Sequence, residues 1–170
     1  MTTQFWLDTR VPVGNDVSDW KGLSTMEQNL YNYVFGGLTL LDTLQSEVGM
    51  ESLLQDAHTQ HEEAVLNNIL FMESVHAKSY STIFSTFNTP SQIDAIFDWA
   101  RENKYLQYKA QRIQDIYLNG TSLQKKAASV LLETFLFYSG FFTPLYYLGQ
   151  AKMVNTAEII KLIIRDESVK

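Results

Sequence analysis

Four segments of this sequence repeat apolar side chains every three or four residues, and each repeat contains a carboxylate where an apolar side chain is expected. Such spacing places side chains on one face of an α-helix, which in a folded protein is the buried face. The four lines are Tyr31, Phe35, Leu38, Asp42, Gln45; Leu66, Ile69, Glu73, His76, Tyr80, Ile83, Phe87; Ala127, Val130, Glu133, Phe137, Phe141; and Ile160, Ile163, Glu167. The pattern predicts four amphipathic helices whose acids point toward one bundle axis.

A cluster of buried carboxylates predicts bound cations, because like charges repel strongly in a low-dielectric interior. Glu73 and His76 are three residues apart and can hold one ion, and Tyr80 follows one helical turn later. The chain has no cysteine, so the metal ligands must be oxygen and nitrogen atoms. Any one of these acids alone is more typical of a solvated helix surface. Their coincidence on four apolar lines predicts a di-metal carboxylate site in a helical bundle.

Break signals divide the chain into the helices of a single all-α domain over residues 1–170. Residues 1–22 are predicted to be an irregular lead-in, and residues 23–170 to be bundle helices. Ser24 and Glu27 form a predicted capping box, Ser91 is a predicted N-cap, and Pro144 is a predicted kink. Helices are predicted over residues 24–49, 52–87, 91–103, 104–118, 121–149 and 151–170.

Charge and hydropathy exclude several other classes of protein. The formal net charge of −6 argues against a nucleic-acid surface, which requires a basic patch. The apolar run from Ser129 to Leu148 is long enough to span a bilayer, but it contains Glu133 and is predicted to be a buried helix instead. The first residues lack the layout of a secretion signal, so a cytoplasmic location is predicted.

Several long motifs of the chain are similar to those of one known family. They are FGGLTLLDTLQSE, HEEAVLNNILFMESVHAKSYS, LETFLFYSGFFTPLYYLG and IIKLIIRDESV. Together they resemble the radical-bearing small (beta) subunit of class I ribonucleotide reductase, and most closely its class Ib, manganese- or iron-using type. The resemblance covers essentially the whole chain. It implies a ferritin-like bundle and the activity of a ribonucleoside-diphosphate reductase, in which a tyrosyl radical serves a separate large subunit. It also implies a homodimer and a flavodoxin-like activator.

The resemblance assigns metal ligands by motif. Glu73 and Glu167 match ligands that bridge two manganese or two iron ions. Asp42 and His76 match the ligands that complete the first site. Glu133 matches a ligand of the second ion.

Further residues match the radical machinery of the family. Tyr80 matches the radical tyrosine, while Trp6 and Asp166 match a relay that leads through His76 toward the large subunit. A water-excluding pocket around the radical is implied for Phe137, Phe141 and Ile163.

The chain departs from the family pattern at its last motif. The family reads Glu-x-x-His, whereas this chain reads Glu167, Ser168, Val169, Lys170. An ammonium group repels a cation, so the resemblance does not extend to a complete second site. About half of a typical family member is also missing, including the tail that binds the large subunit. The isolated chain is therefore predicted to be an inactive N-terminal half, truncated at the last ligand helix.

Two other interpretations remain open. The chain could be another ferritin-like di-metal oxidase, although the joint match of Tyr80, Trp6 and Asp166 favours the reductase subunit. It could also be a non-catalytic remnant, or one half of a split protein that binds a complementing C-terminal polypeptide. A split half is expected to expose an apolar flank where its partner helices are absent.

Overall fold

The computed structural model describes residues 5–168, and this part of the chain contains helices and no strand. The all-α prediction is therefore confirmed. Two short 3-10 turns, Asp8–Arg10 and Val13–Asp16, precede the first α-helix. The α-helices are α1 (Val17–Gly22), α2 (Thr25–Leu44), α3 (Met50–Gln55), α4 (Gln60–Phe87), α5 (Pro90–Glu102), α6 (Lys104–Asn119), α7 (Ser122–Leu131), α8 (Tyr138–Leu148) and α9 (Val154–Glu167).

The break between the first two long helices lies later than predicted. A π-helical segment, Gln45–Gly49, joins α2 to α3, so this first rod continues to Gln55. The predicted start of a second helix at residue 52 is wrong, because α4 begins at Gln60. The side chain of Thr59 accepts a hydrogen bond from the backbone N–H of Glu62 and caps the new helix. This Thr-x-x-Glu signal was present in the sequence but was not used.

The N-cap of α5 is Thr89 and not the predicted Ser91. Thr89 and Gln92 form a capping box, in which the amide oxygen of Gln92 accepts from the backbone N–H of Thr89. Pro90 then occupies the first helical position, where a missing N–H has no cost and the fixed φ suits the helix. The proline therefore starts α5 as well as ending α4.

The last helix, α9, begins at Val154 and not at residue 151. Ala151 and Met153 have left-handed backbone conformations, with φ of 55° and 51°, and such residues cannot continue a right-handed helix. Pro144 lies inside α8. The interruption of the apolar rod occurs earlier, at a second π-helical segment, Leu132–Leu136, between α7 and α8.

The described part of the lead-in, residues 5–22, packs against α9, which corrects the prediction of an irregular segment for these residues. Its last residues form α1, and the buried carboxylate of Asp16 precedes that helix. Asp16 accepts hydrogen bonds from the backbone N–H groups of Asn155 at 3.1 Å and Thr156 at 2.6 Å. Asp19 accepts from the N–H of Met153 at 2.9 Å. The lead-in therefore supplies the acidic caps at the N-terminal end of α9.

The core lies between α2, α4, α8 and α9, with α2 packed against α4 and α8, and α9 against α4 and α8. Its largest fully buried side chains are aromatic, and they include Tyr31, Phe35, Tyr80, Phe137 and Phe141. Aromatic side chains bury a large area each, which suits a core that must hold several carboxylates in place. The four predicted apolar lines meet in one core, except that Ala127 and Val130 of the third line are exposed, because the π-helical segment Leu132–Leu136 changes the helical phase before Phe137.

The apolar rod from Ser122 to Leu148 is the single stretch among the described residues that is long and apolar enough to cross a membrane. Its inner face packs in the core through Leu132, Phe137 and Phe141, which are fully buried. This rod is therefore a bundle helix with one buried face, while the cytoplasmic location stays a prediction. Its outward face carries an exposed line, here called the outer stripe: Leu131, Phe135, Tyr138, Phe142 and Tyr146.

Candidate metal centre

Four of the five predicted metal ligands meet inside the bundle. Asp42 comes from α2, Glu73 and His76 come from α4, and Glu167 comes from the end of α9. One potential ligand atom of each residue lies within 4.8 Å of those of the other three. All four side chains are buried. A group of this kind can surround a single cation or contribute to two neighbouring ones.

His76 presents its two ring nitrogens to different neighbours. Nδ1 faces the carboxylates, at 3.0 Å from Glu167 Oε1 and 3.5 Å from Glu73 Oε2. Nε2 lies 3.2 Å from Asp166 Oδ2. Burial alone would lower the pKa of His76, but hydrogen bonds with Asp166, Glu167 and Glu73 raise it well above its usual value. The ring therefore holds a proton among the acids when no metal is bound.

Trp6 extends this arrangement away from the centre. Its indole Nε1–H donates to Asp166 Oδ2 at 2.6 Å, and its ring stacks on His76 with centroids 6.0 Å apart. Burial would raise the pKa of Asp166, but hydrogen bonds from His76 and Trp6 lower it below its usual value. The structure thus brings together Trp6, Asp166 and His76 as one continuous hydrogen-bonded chain.

The segment that carries Trp6 is fixed to α4 by a second contact. The buried carboxylate of Asp8 accepts a hydrogen bond from Thr82 Oγ1 at 2.8 Å. Its other oxygen lies 3.5 Å from the ammonium group of Lys78. Because Asp8 is two residues after Trp6, these contacts hold the indole close to His76.

Tyr80 lies one turn after His76 on α4 and is completely buried. Burial raises the pKa of its phenol well above the usual value, and the negative charges of Asp42 and Glu167 raise it further. The phenol is therefore protonated at any physiological pH, with Asp42 as its hydrogen-bonding neighbour. Around the centre, the three side chains predicted to exclude water are fully buried: Phe137, Phe141 and Ile163.

Glu133, the fifth predicted ligand, stands apart from the group of four and is held by a glutamine. Gln45 Nε2 donates to Glu133 Oε1 at 2.6 Å and to Ser129 Oγ at 2.8 Å. The hydroxyl of Tyr117 donates to the other end of the same amide, Gln45 Oε1. Glu133 and Glu167 both line a small pocket of about 100 Å³, so Glu133 borders the centre without joining its tightest group.

The sequence reasoning missed Gln45 as a functional residue, although it placed Gln45 on the buried line of α2. A polar residue three positions after a predicted ligand, on the same apolar face, was the available signal. Tyr117 and Ser129 carried no comparable signal. The two π-helical segments beside the centre were not predicted either, and such segments are frequent at functional sites.

The donor set fits a divalent metal. Three buried carboxylates face one imidazole, so even a protonated ring leaves an excess of negative charge in the interior. Carboxylate oxygens with an imidazole nitrogen suit manganese and iron among the common metals. The described residues therefore form a carboxylate–histidine metal site. The predicted departure at Lys170, together with Val169, lies outside the described residues.

Comparisons with known proteins agree with this site. The family model "Ribonucleotide reductase, small chain" matches residues 1–170. Over 99% of its length, the chain is 55% identical to ribonucleoside-diphosphate reductase subunit beta nrdF1 of Mycobacterium tuberculosis and to ribonucleoside-diphosphate reductase 2 subunit beta of Escherichia coli. It covers 52% and 53% of these proteins, so the chain spans about half the length of the curated relatives it matches.

Two solved structures show the same arrangement of helices. The crystal structure of dimanganese(II)-NrdF from Streptococcus sanguinis superposes with a TM-score of 0.96 at 70% identity, over 99% of this chain and 59% of that one. The ribonucleotide reductase R2 subunit from Clostridium botulinum gives a TM-score of 0.90 at 30% identity, over 98% of this chain and 55% of that one. These matches confirm the predicted fold and the predicted resemblance. The chain belongs to the small-chain family of ribonucleotide reductases.

Proposed function

We propose that this chain is the radical-generating part of a ribonucleoside-diphosphate reductase small subunit. The observation that carries the proposal is the meeting of Asp42, Glu73, His76 and Glu167 within 4.8 Å, with Tyr80 buried next to Asp42. In the proposed function, two metal ions and Tyr80 store a radical for deoxyribonucleotide synthesis by a separate large subunit.

We assign the ligands as the family pattern implies. Glu73 and Glu167 bridge the two ions, Asp42 and His76 complete the first site, and Glu133 serves the second. The position of Nδ1 of His76 between two carboxylates supports its role as a ligand. Manganese is supported by the dimanganese form of the Streptococcus sanguinis relative, and iron satisfies the same donor set.

Tyr80 is the radical residue in this proposal. Metal ions bound at the centre would supply the oxidising equivalents that the side chains lack. With an external oxidant supplied, Tyr80 would give up one electron, and the neighbouring carboxylate Asp42 would accept the phenol proton. Burial supports a long radical lifetime, because Tyr80 is inaccessible to water and its neighbours include fully buried apolar side chains.

Trp6, Asp166 and His76 form the proposed relay from the centre toward the protein surface. The residues on either side of Trp6, Phe5 and Leu7, are exposed, so the relay ends beneath accessible surface. Asp166 has a second role, because its hydrogen bond to Nε2 fixes the orientation of the His76 ring.

The partners follow from the same proposal. They are a large catalytic subunit, a second copy of the small subunit and a flavodoxin-like activator. The fourth proposed partner is a C-terminal polypeptide that supplies the remaining half of the relatives' length. We propose that the chain alone does not complete the second metal site and needs this polypeptide for a stable radical.

Metal loading tests the proposal. The chain is incubated with Mn(II) or Fe(II) and an oxidant, alone and with a C-terminal half supplied separately. Metal content is measured by elemental analysis and the tyrosyl radical by electron paramagnetic resonance. We expect bound metal in both samples and a radical only in the complemented one. Absence of bound metal would refute the site, and a high radical yield from the chain alone would refute its incompleteness. Bound metal without a radical in either sample would identify a non-catalytic remnant.

A further inference from the structure

We propose that Gln45, oriented by Tyr117, is a positioning residue that sets how Glu133 binds the second metal ion. The inference rests on the proposed di-metal function and adds to it a residue pair that determines the affinity of one of the two sites. In this inference both residues act through the side chain of Glu133.

The hydrogen-bond donors fix which way the Gln45 amide points. A phenol has one proton to donate, and that of Tyr117 goes to Gln45 Oε1. The amide nitrogen must then lie at the opposite end, where it donates to Glu133 Oε1 at 2.6 Å and Ser129 Oγ at 2.8 Å. A flipped amide would place its oxygen against the carboxylate and its nitrogen against the phenol proton. The contact of the amide oxygen with the carboxylate would be repulsive, and the Tyr117 hydroxyl stabilises the observed orientation by donating to Oε1, so Gln45 is held as a donor.

Burial makes this arrangement energetically important. Gln45 and Tyr117 are 0% exposed and Glu133 is 2% exposed, so water cannot replace a lost contact. A hydrogen bond from an amide to a buried carboxylate is shorter and stronger than one between neutral groups. Its loss would leave a buried carboxylate oxygen without its donor.

The backbone around Gln45 is shaped to admit the contact. Gln45 opens the π-helical segment that ends at Gly49. A Cβ atom at Gly49 would lie 2.5 Å from Gln45 Oε1 and 2.9 Å from the ring of Tyr117. Only glycine leaves room for the amide and the phenol together. Glu133 lies on the second π-helical segment, so both partners of the hydrogen bond come from locally widened helices.

The contact defines how Glu133 can bind a metal. The hydrogen bond to Oε1 fixes the orientation of the Glu133 carboxylate at the edge of the pocket that it shares with Glu167. Gln45 thus determines how the Glu133 carboxylate would be presented to an ion bound there. Partners of ligands commonly change metal affinity by about 10–100-fold when they are removed.

Two variants and two matched controls test this role in the full chain complemented with the separately supplied C-terminal half, because the chain alone is proposed not to complete the second site. Gln45→Met removes the donor at similar volume, and Tyr117→Phe removes only the group that orients the amide. Gln111→Met and Tyr108→Phe make the same chemical changes on exposed side chains of α6. Mn(II) binding is measured by equilibrium dialysis, and pairing of the ions by electron paramagnetic resonance. Thermal melts report folding.

We expect two ions in the wild type and in both controls. In Gln45→Met and Tyr117→Phe, the dissociation constant of the second ion should rise about 10–100-fold while that of the first is unchanged. The electron paramagnetic resonance spectrum recorded with two equivalents of Mn(II) should then change from that of two coupled ions to that of isolated ions. If Gln45→Met does not fold, the result for Tyr117→Phe tests the inference instead, because that variant retains the Gln45 side chain.

Three outcomes would overturn the inference. Unchanged binding of both ions in the variants would refute the role of Gln45 while leaving the proposed function intact. Equal weakening of both ions would show a general packing role instead. A complemented wild-type chain that binds fewer than two ions would refute the proposed di-metal centre, and this inference with it.

Discussion

His76 illustrates how single residues set the chemistry of the centre. One ring nitrogen faces Glu167 and Glu73, and the other faces Asp166. A metal ion can therefore replace the proton at Nδ1 without disturbing the hydrogen bond at Nε2. Protonation of the ring opposes metal binding, so metal affinity is expected to fall as pH decreases.

Tyr80→Phe is expected to remove the radical and to leave metal affinity nearly unchanged. In the proposed function the phenol loses an electron and a proton, whereas the carboxylates and His76 hold the ions. Radical yield is measured by electron paramagnetic resonance and bound metal by elemental analysis, under conditions where the wild type forms a radical. Tyr31→Phe, at another fully buried tyrosine, is the control and should retain the signal. A radical that persists in Tyr80→Phe would show that another tyrosine carries it.

The residue scale also shows what the sequence could predict about the site. Asp42, Glu73, His76 and Glu167 were predictable because ligands must lie on the buried line of a helix, and that line is visible in the spacing. The hydrogen bond between Gln45 and Glu133 was not predictable from the sequence, since it depends on two locally widened helical turns. Nothing in a simple 3.6-residue period distinguishes such a turn from a regular one.

At the scale of elements, capping decides where the helices begin. Ser24 and Glu27 form the capping box that the sequence predicted. Thr59 and Thr89 use the same chemistry, and both were overlooked because more prominent signals lay nearby. The late start of α9 was beyond sequence reasoning, since alanine does not favour the left-handed backbone at Ala151, and Met153 is held by Asp19, which lies 134 residues away in the chain.

Asp16→Ala is expected to destabilise the protein by about 1–3 kcal/mol, because the N-terminal N–H groups of α9 lose their buried acceptor. The free energy of unfolding is measured by urea denaturation of the metal-free chain. Asp115→Ala, an exposed acid on α6, is the control and should change it by less than about 0.5 kcal/mol. Equal effects of the two substitutions would contradict a capping role for Asp16.

On the scale of the whole molecule, the outer stripe is the largest departure from an ordinary soluble surface. Its five apolar side chains are each more than half exposed and follow one another at helical spacing along α7 and α8. An apolar line of this length is typical of a surface that is covered in the functional assembly. The predicted exposed flank therefore has a definite location in the fold.

Replacing Phe135 and Phe142 together by serine is expected to reduce self-association of the isolated chain. These are the two most exposed members of the outer stripe, at 72% and 66%. Sedimentation velocity over a range of concentrations measures the change. The control replaces Tyr105 and Leu123 by serine in the same way, because these side chains are exposed but lie outside the outer stripe. Equal association of both double variants would show that the stripe is not the contact surface.

Metal binding is expected to stabilise the whole fold, because the ligands come from three helices and the ion binds only the folded state. At a free Mn(II) concentration 100 times the dissociation constant, the gain is about 2.7 kcal/mol. Thermal melts with and without Mn(II) measure it as a rise in Tm. Glu73→Gln should abolish most of the rise, while Glu51→Gln, on an exposed side chain, should preserve it. Similar rises in Tm for both variants would show that the ion binds elsewhere in the protein.

The contact between Trp6 and Asp166 joins positions 160 residues apart in the chain. Contacts of this range form late, because the entropy of closing so long a loop must be overcome first. During synthesis, every earlier helix emerges before Asp166 and Glu167 exist. The ligand group therefore lacks Glu167 until α9 has been translated, so metal ions cannot bind to all four ligands before that helix emerges.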